Sequence, residues 1–150
     1  MALLTPDAGA APLDFARFAT GPGRIGSDVF ISGFAYEGRL DAPSLGTGTL
    51  ADIKGLDGED GISRLQLSQG HTSFGGPVFD ATGAVVGLLQ KHREGLPNTA
   101  RTAHTGTHLV AALDGIGIPA EPALGQEILN AEDLAVLAGD ITAKIACWAQ

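Results

Sequence analysis

His71 and Ser73 are of types that could form a base–nucleophile pair, since an imidazole can take the proton a hydroxyl must lose before it attacks. Two residues apart on a loop, they face different ways, and a turn hydrogen bond is the reading they support. The Gly-x-Ser-x-Gly elbow does not fit, because His71 stands where its first glycine is required. His104 and His108 have the spacing that puts two imidazoles on one helix face, as a metal site needs. Gly106 lies between them and no carboxylate or thiolate is close in sequence, so they read as loop and helix-start residues and no metal is expected. The acidic run Asp57-Gly-Glu-Asp60 lacks the ligand spacing of a calcium loop and reads as a solvated hairpin tip. Cys147, the single cysteine, has no partner motif and reads as a buried core residue.

Short strands are the elements that must position these groups. Residues 28–36 (DVFISGFAY) are rich in β-branched and aromatic types, with Gly33 as a candidate bulge or close-approach point. Residues 45–54 and 62–68 alternate well enough to form two more strands. Residues 77–90 contain two apolar runs around Asp80-Ala-Thr-Gly83, a hairpin with glycine at the position that favours left-handed backbone. Residues 91–101 are polar, contain Pro97-Asn98 and read as an exposed loop. Residues 107–113 read as a short helix ended by Gly115, and 131–139 as a better one capped by Asn130. Residues 141–148 are expected to close the chain as a strand.

Composition bounds the setting. The chain has 150 residues, 22 of them glycine and 8 proline, with 17% charged residues; that is too apolar for disorder and points to many short strands. Mean hydropathy is +0.17. Nine basic against 17 acidic residues give a net charge of −8 with no Lys/Arg cluster, so nucleic-acid binding is not expected. No apolar run reaches the roughly 18 residues of a membrane span. The first residues lack the basic and apolar regions of a signal peptide.

Residues 70–88 (GHTSFGGPVFDATGAVVGL) resemble the nucleophile loop and following hairpin of trypsin-like serine proteases, especially the bacterial HtrA-type enzymes. That family carries Gly-x-Ser-Gly-Gly-Pro, a hairpin with a glycine turn, then Val-x-Gly; here Gly75-Gly76-Pro77 and Val86-Gly87 sit at matching spacing. Val29 to Phe34 resembles a strand of the family's second barrel, Leu65-Gln66 the strand entering the loop, and residues 103–113 the strand-to-helix exit. Residues 1–4 resemble the segment that carries the triad aspartate. The resemblance implies an all-β fold, the C-terminal six-stranded barrel over residues 1–118, with a helix-strand extension at 119–150 packed on it.

Departures from the family pattern shape the expected function. Phe74 stands where the nucleophilic serine precedes Gly-Gly-Pro, Ser73 is one place early, and Met1 replaces the aspartate. The barrel that carries the family's histidine has no counterpart here. The resemblance therefore implies a degenerate nucleophile loop, Thr72, Ser73, Phe74, Gly75 and Gly76, with Ser73 the one weak candidate for catalysis. It also implies a peptide-binding edge at Val86, Gly87, Leu88 and Leu89. The expected function is a non-catalytic, pseudo-protease module for peptide or protein binding or scaffolding, without cofactor, from a secreted or periplasmic parent. The expected partners are a peptide or protein segment, including the absent N-terminal barrel, and further copies of the chain, because an apolar flank is left open. Two alternatives stand beside it: the C-terminal half of an active trypsin-like endopeptidase, and a structural building block of a homo-oligomer.

Overall fold

The computed structural model describes residues 2–5, 14–34, 41–68, 74–125 and 127–145. Six strands alternate with turns and two helices follow: β1 Asp28–Gly33, β2 Ser44–Asp52, β3 Ile62–Leu67, β4 Pro77–Phe79, β5 Val85–Leu89, β6 Ala100–Thr105, α1 Gly106–Asp114 and α2 Ala131–Ile141. All strand pairs are antiparallel, and the order β1-β2-β3-β6-β5-β4 closes on itself as a barrel. This is the six-stranded barrel that the resemblance implies.

Two-residue alternation gives the sheet two apolar faces. Val29 and Ile31 of β1 point inward, where they pack with Leu50, Leu65, Leu67, Val78, Leu89 and Ala103. Phe30 lies between them in sequence and so points outward, joining Leu45, Phe79 and Val85 in a second cluster. Ala16 and Phe18 from the N-terminal side and Ala138 and Ile141 of α2 cover that outer cluster. A register shift between β4 and β5 pairs Phe79 with Val85 and Val78 with Gly87, leaving Val86 as the extra residue. The bulge re-phases β5, so Val85 faces out while Val86 and Leu89 face the interior.

The β4–β5 turn forms for local reasons. Asp80 Oδ1 accepts from the Thr82 and Ala84 amides (2.9 and 3.1 Å) and from Thr82 Oγ1 (2.7 Å). Gly83 supplies a φ of 79° that other residues adopt only with strain. Thr105 caps α1 by accepting from the His108 amide, and Asn130 caps α2 by accepting from the Glu132 and Asp133 amides.

Two expectations change. The strand expected at 141–148 is not formed over its described part: Ile141 is the last residue of α2, held by its packing on the outer cluster, and 142–145 have no regular structure. Thr142 Oγ1 donates to the buried Ser32 Oγ at 2.9 Å, tying the end of that helix to β1. Of the two readings of Gly33, the bulge is not formed: it pairs with Ser44 in regular register. The outer apolar cluster at Phe30, Phe79 and Val85 is covered by α2 and by residues 16 and 18.

Candidate functional site

The loop before β4 is clamped on two sides. Gly75 has a φ of 79°, its amide donates to Leu89 O (2.8 Å), and the Leu89 amide donates to Gly76 O (2.9 Å). A Cβ on Gly76 would lie 1.9 Å from Ser32 O, so only glycine lets the loop press against β1. Immediately before this clamp stands Phe74, a residue 66% exposed. Thr72 and Ser73, with His71, lie outside the described residues, as does Cys147.

Phe74 and Gly75 form one wall of a groove of about 670 Å³. The end of β5 (Leu88, Leu89) and residues 90–93 line it, with Thr102 and His104 of β6, and Leu56, Glu59 and Ile62 close the far side. Sequence reasoning placed Gln90, Lys91, His92 and Arg93 in or beside a plain exposed loop and missed them as a wall. The signal available was the basic run Lys91-His92-Arg93 directly after an apolar strand in an acidic chain.

Hydrogen bonds assign the histidine tautomers in this groove. A guanidinium only donates, so His92 Nδ1 accepts from Arg101 Nη1 (3.1 Å) and neutral His92 carries its proton on Nε2. Arg101 is buried, and burial draws its pKa below the ordinary guanidinium value; the same Nη1 donates to Ala100 O at 2.9 Å. The Gln90 amide donates to His104 Nε2 (3.2 Å), which places the proton of neutral His104 on Nδ1, a buried atom with no hydrogen-bond partner among the described residues. Burial, and then the charge of neighbouring His108, hold the His104 imidazole below its ordinary pKa. Glu59, the one carboxylate lining the groove among the described residues, folds back on its own hairpin and accepts from the Asp57 amide at 2.8 Å. Its own amide and that of Asp57 lower its pKa.

The expected peptide edge requires correction. Gly87, Leu88 and Leu89 pair with β6 on one side, while Gly87 and Leu88 pair with β4 on the other. Val86 is the bulged residue packed on the barrel core. In a closed barrel, Gly87 and Leu88 have a strand on each side and offer a peptide no open ladder. A Cβ on Gly87 would meet His104 O at 2.7 Å, so that glycine serves strand-to-strand approach. The β5–β6 ladder ends where the Gln90 amide donates to Thr102 O (2.9 Å), and Lys91 to Arg93 leave the sheet along the groove.

His104 and His108 do not share a helix face either. His104 ends up on β6 and His108 in the first turn of α1, and their rings stack with centroids 5.6 Å apart at 13°. Among the described residues, no group of three or more His, Cys, Asp or Glu side chains gathers as a metal site. Nor, among them, is any helix long and apolar enough to cross a membrane.

Residues 1–88 match the family described as a trypsin-like peptidase domain. Among solved structures, an inactive form of Rv3671c from M. tuberculosis H37Rv superposes with a TM-score of 0.54 at 20% identity, over 68% of this chain and 53% of that one. The active form of the Rv3671c protease gives 0.53 at 18% identity, over 73% and 51%. At such identity the likeness is one of fold, and the chain spans about half the length of these structures. No curated protein matches the sequence.

Proposed function

The chain belongs to the trypsin-like peptidase domain family, and from that membership we propose that it is a non-catalytic member which holds a peptide or protein segment beside Phe74 without cleaving it. Phe74 carries the proposal. It occupies the position directly before Gly75-Gly76-Pro77, and the clamp on Gly75 and Gly76 fixes its backbone at the groove. A phenyl ring has no proton to give to a base and no lone pair for a carbonyl carbon, so acyl-enzyme chemistry has no nucleophile there. The groove around it keeps a size suited to a side chain and its flanking backbone.

An extended segment would lie against residues 91–93, where the chain has left the ladder, in place of the paired β5. The partners proposed are a peptide or protein segment, including a first barrel, and a second copy of the chain; the parent is placed in a secreted or periplasmic setting. No cofactor enters this reading. Titration calorimetry of the chain with extended peptides at up to millimolar concentration tests it. The expected result is saturable binding with intact peptide recovered. Cleavage of the peptide, or no saturation with any of them, overturns the proposal.

A further inference from the structure

Two cationic side chains, Lys91 and Arg93, line the groove in a chain of net charge −8, with the carboxylates of Glu59 and Asp57 beside them. Lys91 and Arg93 line it and are exposed, with half-buried His92 between them. The two carboxylates near it keep their charge, and a ligand must compete with them for the cations. Glu59 is bonded into its own hairpin, and Asp57 lies 3.6 Å from Arg93 Nη1 in a pair exposed on both sides, which a ligand can exchange at little cost. Glu94 follows the basic run but does not line the groove. Arg101 holds His92 by its Nδ1, so neutral His92 offers Nε2–H as a donor. Leu56, Ile62, Phe74 and Leu88 supply apolar wall for the stem of a long side chain.

We infer that the groove selects a peptide bearing an acidic side chain, its stem against Phe74 and Leu88 and its carboxylate received by Lys91, His92 and Arg93. This rests on the peptide-binding reading above and adds the class of segment bound. The charge complementarity is local: the remaining surface of an acidic chain repels an acidic peptide, so a preference for one must come from this wall.

Calorimetry on the intact chain tests the inference with four peptides, blocked at both ends and differing only in a central Glu, Asp, Ala or Lys. The Glu and Asp peptides are expected to bind at least about fivefold more tightly than Ala, with Lys weakest and the preference shrinking as salt rises. In the double variant Lys91→Glu/Arg93→Glu the preference should vanish, whereas Arg24→Glu, the same kind of charge change on an exposed turn away from the groove, should leave it in place. Circular dichroism should show both variants folded. Saturable binding without acidic preference, or a preference that survives the double variant, overturns the inference and leaves the peptide-binding reading standing. Absence of saturable binding with all four overturns both.

Discussion

Gly76 has almost no latitude, because any side chain would drive its Cβ into Ser32 O at 1.9 Å, and that atom belongs to a strand backbone that cannot move aside. Gly76→Ala is therefore expected to cost more than about 3 kcal/mol. Gly75→Ala meets only the strain of its φ of 79°, with open space around the new Cβ, and should cost about 1 kcal/mol. Urea unfolding of the two variants checks the ranking, and equal losses would contradict it. His104 gives a pH signature. Burial and His108 hold its folded-state pKa below the ordinary value of about 6.5, so the unfolded chain binds that proton more readily. The stability linked to this group is fully present above the ordinary value and is lost as pH falls through it toward the folded value. Urea midpoints at about pH 7.5 and about pH 5.5 should fall with acidification, and His104→Gln should flatten that difference. The glycine–proline core of the loop was legible in the sequence, because residues that permit close approach are identifiable by type. The chemistry of His92 and His104 was not, since each depends on a partner, Arg101 or Gln90, brought close by strand pairing.

Among the elements, α2 was legible at its start and not at its end. Asn130 reads as a cap because capping is decided within three residues, whereas the helix continues to Ile141 because Ala138 and Ile141 find the outer face of the barrel, which no local pattern announces. Leu134 is 1% exposed in this helix, so Leu134→Ala should destabilise the chain by about 2–4 kcal/mol in thermal or urea melts, while Val136→Ala, at 60% exposure, should change it by less than about 0.5 kcal/mol. The strand β5 was legible as a strand, and its hairpin turn followed from Asp80 and Gly83. Its role as an edge was misread, because barrel closure is a property of six strands together and not of one apolar run. The basic residues after it became a groove wall for the same reason: where a ladder ends depends on the partner strand.

Across the whole molecule, the outer apolar cluster of the barrel is covered from within the chain by residues 16 and 18 and by α2. Exposed apolar side chains remain on the C-terminal segment at Leu124, Ile128 and Val136. If the proposed second copy associates, it should do so there: light scattering is expected to give a multimer that Val136→Glu returns to monomer, and an unchanged multimer would count against that surface. The absence of proteolysis is the larger claim, and it turns on whether Phe74 has taken the nucleophile's place or Ser73 has kept its role. Fluorophosphonate labelling of the protein in its longest natural form, with the modified residue mapped by mass spectrometry, addresses this directly. No adduct on Ser73 is the expected result. A stoichiometric adduct on Ser73 would contradict the non-catalytic reading and return the chain to the working half of an endopeptidase.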